Sequence, residues 1–110
     1  VYVTGTTNSQ MTTIKYSTSG NQQWIQVYIA AGKLGGFSNA VVNYGSGITY
    51  AAGATYEIST SYDCRLIKYN SLGTQQWTQS YQGAEELDDN FNAVAMDAAG
   101  NIYATDDSYE

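Results

Sequence analysis

An internal repeat limits how this chain can fold more than any other feature of its sequence. The tripeptide Gln-Gln-Trp that ends at Trp24 recurs 53 residues later, where it ends at Trp77. The same spacing relates two further pairs of segments: Ile14-Lys15-Tyr16 with Ile67-Lys68-Tyr69, and Asn39-Ala40-Val41 with Asn92-Ala93-Val94. A fixed period of this length indicates several copies of one structural unit, each of which packs against the next.

Within each copy the residue pattern predicts strands. Tyr, Val, Ile, Thr and Trp dominate short runs, and Gly, Asn, Asp and Ser lie between them. Gly20 and Gly73 each end a short turn, where we expect the left-handed backbone that a β-carbon disfavours. We also expect the Ala-Val strands to be covered on both sides and the Gln-rich last strand to be peripheral. The complete copy then has four antiparallel strands, Asn39 to Asn43, Ile48 to Thr55, Cys64 to Tyr69 and Gln75 to Tyr81.

The repeated motifs resemble a known family. Ile-Lys-Tyr-x-x-x-Gly-x-x-x-Trp, followed by Asn-Ala-Val-x-x-Asp-x-x-Gly-Asn-x-Tyr, resembles the bacterial SBBP repeats, which are seven-bladed β-propeller repeats. The resemblance implies an all-β fold of four-stranded antiparallel propeller blades, with about two blades in this chain. Residues 1–37 are then the outer three strands of an incomplete first blade, residues 38–90 are a complete second blade, and residues 91–110 start a third.

Six residues recur in both copies and are the predicted structural core of the repeat: Trp24, Trp77, Tyr16, Tyr69, Gly20 and Gly73. The Gly-x-x-x-Trp element is similar to the tryptophan-docking motif of quinoprotein propellers, which implies that each Trp packs between blades. Tyr16 and Tyr69 replace the usual Asp of that motif, so we expect no quinone cofactor. Aromatic rings beside Gln amides could instead stack on sugars, but repetition in both copies favours packing.

The number of repeats predicts the partners. Propellers close with about 4 to 8 blades, because a blade buries its faces only against its neighbours. Two blades cannot close a ring, so we expect further blades, either in a longer chain or in other copies of this chain, as a ring or a filament. The sequence contains no Pro to protect a sheet edge, which favours assembly.

Composition excludes several function classes. Without histidine the chain cannot form a Ser-His-Asp or Cys-His nucleophile, and Cys64 is predicted to be a small apolar strand residue. A formal charge of -6 makes nucleic acid an improbable partner, and no apolar run approaches the roughly 20 residues of a membrane-spanning helix. No cofactor is expected; calcium at the acidic segment with Glu85, Glu86, Asp88 and Asp89 is a weak alternative. Asp97 is predicted to begin a tight turn.

These observations predict a non-catalytic scaffold or recognition module that binds a glycan or a protein. The resemblance implies a location outside the cell or on the cell surface, of bacterial type. Two alternatives stay open: a structural subunit that assembles through blade edges into a ring or filament, and a non-catalytic part of a glycan-active enzyme. The chain itself is not expected to be an enzyme.

Overall fold

The computed structural model describes residues 1–28, 35–57, 61–82 and 88–106 of the chain. These residues form strands and turns only, so the all-β prediction is confirmed. None of the described segments is a helix that could cross a membrane. The strands are β1 (Tyr2–Thr7), β2 (Gln10–Tyr16), β3 (Gln22–Tyr28), β4 (Gly35–Tyr44), β5 (Ile48–Glu57), β6 (Ser61–Tyr69), β7 (Gln75–Tyr81), β8 (Phe91–Met96) and β9 (Ile102–Asp106).

The strands pair in chain order to give three antiparallel sheets. The first sheet is β1-β2-β3, the middle sheet is β4-β5-β6-β7 and the third is β8-β9. The middle sheet is the four-stranded meander that the sequence predicts, although β4 begins at Gly35 rather than at Asn39. The strand is longer because residues 35–38 continue the ladder with β5, where Gly35 pairs with Tyr56 and Ser38 pairs with Gly53.

Turn residues account for the hairpins. Asn8 and Ser9 join β1 to β2 with φ angles of 49° and 59°, the positive values that two-residue hairpin turns require. Gly20 and Gly73 have φ angles of 86° and 84°, which confirms the predicted left-handed backbone. Both amides donate to the residue three positions earlier, Gly20 to Ser17 and Gly73 to Asn70, at 3.0 Å. The two turns therefore have one conformation.

The sheets stack in the order of the chain. β4 of the middle sheet lies against β1 of the first sheet and β8 of the third. The apolar core lies between the first and middle sheets, where Met11, Ala51, Ile67 and Tyr69 are buried together. One face of the middle sheet therefore covers the first sheet, and its other face covers the third.

The predicted gradient of burial is wrong for the inner strands and right for the last strand. Ala40, Val41 and Val42 of β4 are only half-buried, and Ala93 and Ala95 of β8 are exposed. The reason is that β4 and β8 are edge strands, whereas β5 and β6 have neighbours on both sides within the sheet and sheets over their faces. Burial is therefore concentrated in β5 and β6, and β7 is mostly exposed, as predicted.

Candidate functional site

Trp24 makes the central contact between the first and middle sheets. Its side chain projects from β3 over the turn that joins β6 to β7, and its Nε1 donates to the carbonyl oxygen of Ser71 at 3.3 Å. The indole centroid lies 5.8 Å from the ring of Tyr69. A β-carbon on Gly73 would lie 2.7 Å from Trp24 Cδ2, closer than the two atoms can approach. The turn therefore needs glycine for its backbone angle and also to make room for the indole.

Strand register positions Trp24. Tyr2 on β1 pairs with Lys15 on β2, and Lys15 pairs with Trp24 on β3, so the three side chains lie in one row on one face. The rings of Tyr2 and Trp24 are 6.2 Å apart, and Lys15 Nζ lies 5.6 Å from the centroid of the Tyr2 ring. A lysine over an aromatic ring is weakly stabilised by the ring quadrupole. The contacts within this row therefore orient the indole toward the middle sheet.

The middle sheet contains the same row. Tyr50, Lys68 and Trp77 pair across β5, β6 and β7. The rings of Tyr50 and Trp77 are 5.8 Å apart, and Lys68 Nζ lies 5.8 Å from the Tyr50 centroid. Lys15 and Lys68, which recur at the same place in the repeat, thus both have their charged ends over tyrosine rings.

The two copies of the repeated Trp, Tyr and Gly residues differ in whether another sheet packs against them. Trp24, Tyr69 and Gly73 meet at the interface between the first and middle sheets, where Tyr69 is only 2% exposed. Their counterparts Trp77, Tyr16 and Gly20 lie elsewhere. Both tryptophans are half-buried, but Tyr16 is half-buried where Tyr69 is buried, and Gly20 is exposed where Gly73 is buried. The structure thus brings together one half of the predicted repeat core and places the other half at the two ends of the stack.

Asn39 is a contact residue that the sequence marked without assigning it a role. It lies in a β-bulge of β4, and its Nδ2 donates to Asn90 Oδ1 and to the carbonyl oxygen of Phe91, both at 3.0 Å. These bonds tie the middle sheet to the start of the third. Asn92 lies in the equivalent bulge of β8. The repeated Asn-Ala-Val tripeptide is the signal that could have predicted this contact.

Arg65 is a buried residue that the sequence did not predict. Its guanidinium lies 5.5 Å from the centroid of Tyr28 in the first sheet. Within the middle sheet its Nε donates to Thr55 Oγ1 at 3.3 Å and its Nη1 donates to Thr78 Oγ1 at 3.2 Å. The equivalent residue of the first copy is Thr12, so the repeat carried no signal for a charge at this position.

The acidic segment was the candidate calcium site. Glu85 and Glu86 lie outside the described residues. The carboxylate of Asp88 accepts hydrogen bonds from Ser61 Oγ and from the backbone N–H of Tyr62, and the N–H of Asp89 donates to the carbonyl oxygen of Tyr62 at 2.6 Å. These bonds attach the segment to the start of β6. Across the described ranges no three acidic or thiol side chains gather in the way that a metal ion requires.

Asp97 begins the tight turn between β8 and β9, as predicted. Its Oδ1 accepts from the N–H groups of Ala99 at 3.0 Å and Asn101 at 2.9 Å. Its Oδ2 accepts from Asn101 Nδ2 at 2.9 Å and from the hydroxyl of Tyr103 at 3.1 Å. The bonds from Asn101 contribute most to a carboxyl pKa below its ordinary value. The carboxylate therefore stabilises the hairpin.

Cys64 is fully buried in β6. Burial raises the pKa of its thiol to about 12, and the charges of Asp106, Asp89 and Asp63 contribute in the same direction. A thiol with this pKa is protonated at neutral pH and is a poor nucleophile. Met11, which occupies the equivalent position of the first copy, is part of the apolar core.

No family model matches the chain, and no curated protein matches it.

Proposed function

We propose that this chain is a non-catalytic scaffold of the β-propeller type, in which the three sheets are consecutive blades. The docking of Trp24 over the turn that contains Ser71 and Gly73 carries the proposal, because the row that positions Trp24 recurs in the middle sheet. A contact that is built from repeated residues can join each sheet to the next. The partners of the scaffold are therefore further sheets of the same repeat.

The direction of stacking supports blades rather than a closed sandwich. β4 lies against β1 on one side and β8 on the other, so the sheets follow one another in a single sense. Asn39 connects the middle sheet to the third with side-chain hydrogen bonds, and the equivalent Asn92 is exposed. A sandwich would pair two sheets, whereas here the middle sheet contacts a different sheet on each side.

The burial and hydrogen bonding of three polar or reactive side chains favour a structural role. The thiol of Cys64 is buried and protonated, Asp97 is occupied by four hydrogen bonds within its own turn, and Arg65 donates to two threonines beneath a tyrosine ring. Asp97 stabilises its hairpin, Arg65 joins the middle sheet to the first, and Cys64 is a buried strand residue. The resemblance to bacterial SBBP repeats supports a location outside the cell or on its surface.

Hydrogen exchange measured on the intact chain tests the scaffold. If the first and middle sheets are stacked blades, the amides of β2, β5 and β6 should open in one cooperative step. Trp24→Ala should lower protection in both sheets together, whereas Leu72→Ala, which truncates a side chain that is 79% exposed, should leave protection unchanged. Independent exchange of the first sheet, unaffected by Trp24→Ala, would contradict a stacked scaffold.

A glycan array provides a second test. A scaffold whose aromatic rows pack against protein should bind no sugar on the array. Glycan binding that Trp77→Ala abolishes while the fold is retained would replace the scaffold with a sugar-binding module.

A further inference from the structure

Both halves of the Trp24 contact occur a second time in this chain, at opposite ends of the stack. Trp77 repeats the docking side chain, and Ser17 to Gly20 repeat the turn that receives it. Within the described residues, β8 covers the inner part of the middle sheet, where Tyr50, Ala52 and Ala54 are buried. On the outer strand β7, Trp77 is half-buried, Gln79 is exposed and Tyr81 is 47% exposed. Trp77, Gln79 and Tyr81 therefore form a docking surface over which no turn lies in the part of the chain that the structure describes.

The free turn matches the occupied one. The N–H of Ser17 donates to Asn21 O at 2.8 Å, and the N–H of Asn70 donates to Thr74 O at 2.9 Å. The φ angles of Gly20 and Gly73 differ by only 2°, at 86° and 84°. Unlike Gly73, Gly20 has no atom of the described residues within 4 Å of a β-carbon built on it. The space that Trp24 fills above Gly73 is thus open above Gly20.

The sheet face beside the free turn is apolar. Val3, Ile14 and Ile25 pair directly across β1, β2 and β3 and so form one row on one face. Val3 is 47% exposed and Ile25 is 44% exposed, and a shallow cavity of about 170 Å³ lies over Val3 and Ile14. In the middle sheet the equivalent residues Ala51 and Ile67 are completely buried against the first sheet. The apolar row, the cavity and the free turn together form the receiving surface.

We propose that a second copy of this chain docks head to tail on the first. The indole of Trp77 in one copy lies over the Ser17–Gly20 turn of the next, with Nε1 donating to the carbonyl oxygen of Thr18, which is equivalent to Ser71. The middle sheet of the first copy covers the apolar row of the second. Because the docking and receiving surfaces are different patches, each copy has one of each free for a further copy. The inference rests on the proposed role of the sheets as stacking blades.

In this assembly β9 loses its pairing with β8. β9 and β1 are equivalent strands, since Tyr103 and Tyr2 occupy the same place in the repeat, and only one of them can pair with β8. β9 has five residues, and among the described strands it pairs with β8 alone. β1 belongs to a three-stranded sheet in which, among the described strands, it pairs with β2 alone, so its other edge can pair with β8 of the first copy. The incoming β1 therefore replaces β9, and Val3 of the second copy pairs with Val94 in place of Ala104.

Sedimentation velocity over a range of concentrations tests the proposal with two variants and two matched controls. The wild-type chain should form species larger than a monomer as concentration rises. Trp77→Ala should remain monomeric. Gly20→Ala should associate about 10-fold to 100-fold more weakly, because its methyl group enters the space needed by the indole. Leu72→Ala and Gly45→Ala should associate like the wild type; Gly45 also has a positive φ, 55°, and an open β-carbon position among the described residues.

Mixing the two variants tests the head-to-tail geometry. Gly20→Ala retains its docking surface and Trp77→Ala retains its receiving surface, so an equimolar mixture should form a dimer that grows no further. Amides of β9 should exchange faster in the associated wild type than in the monomer. Circular dichroism of each variant establishes that it is folded.

Several results would overturn the proposal. These are a wild-type chain that is monomeric at every concentration, association that Trp77→Ala leaves unchanged, and protection of β9 that is retained on association. A chain that stays monomeric but shows cooperative hydrogen exchange would contradict the docking of a second copy and still support the stacked scaffold. The two proposals can therefore fail separately.

Discussion

Alanine substitutions at Gly73 and Gly20 measure the contact between the first and middle sheets directly. The two glycines end turns of the same hydrogen bonding and the same φ, but only Gly73 lies beneath an indole ring. Alanine in a left-handed conformation costs about 1–2 kcal/mol at either position. The difference between the two variants therefore isolates the contact with Trp24.

The magnitude of that difference follows from the geometry. The new methyl group at position 73 would lie 2.7 Å from Trp24 Cδ2 and 2.8 Å from Cγ, so the indole must move away from the turn. Forcing an extra methyl group into a packed contact costs about 1–3 kcal/mol. The total destabilisation is then about 2–5 kcal/mol for Gly73→Ala and about 1–2 kcal/mol for Gly20→Ala.

Urea unfolding followed by far-ultraviolet circular dichroism, at concentrations low enough to keep the chain monomeric, gives both free energies by linear extrapolation. Equal destabilisation by the two variants would refute the reasoning, because the indole would then contribute nothing at Gly73. A larger loss at Gly20 would reverse the assignment of the covered and open turns.

Three further predictions follow from individual side chains. Trp24→Ala should destabilise the monomer more than Trp77→Ala does, because among the described residues a turn of the neighbouring sheet covers Trp24 and not Trp77; urea unfolding compares them. The thiol of Cys64 should resist a maleimide at neutral pH and react on denaturation, and because its pKa rises from 9.0 to about 12 on folding, the contribution of the thiol to stability should fall as pH increases above about 9. Asp97 has a lowered pKa, so its stabilisation should be present above its ordinary value of 3.8 and be lost on acidification; Asp97→Asn should reduce this acid sensitivity in the unfolding free energy measured against pH.

The sequence predicted the strands because their signals are local. Alternation along Gln75–Tyr81 places Trp77 and Tyr81 on one face, and the glycines at positions 20 and 73 mark turns that only a left-handed residue closes easily. The offset between the copies also predicted which residues are equivalent. The two Tyr-Lys-Trp rows, in which distances and register agree, confirm that the repeat in sequence is a repeat in structure.

Burial could not be predicted from the same signals, because it depends on what lies beside each sheet. Gln-Gln precedes both Trp24 and Trp77, but within the described residues a turn of the next sheet covers Trp24 and not Trp77. The Ala-Val run of β4 has the composition of a buried strand, yet it is half-buried because it is an edge strand. Arg65 occupies the position that Thr12 has in the first copy. Its guanidinium lies against the ring of Tyr28, a residue distant in sequence, and is buried there.

Nuclear magnetic resonance of the monomer tests the stacking of the first two sheets most directly. Trp24 lies over Gly73, so the α-protons of Gly73 should be shifted upfield by the indole ring current and should show Overhauser contacts to the Trp24 side chain. The α-protons of Gly20, in an identical but open turn, should show neither effect. Matching shifts for Gly73 and Gly20, with no contact between Gly73 and Trp24, would contradict the stacking of one sheet on the next.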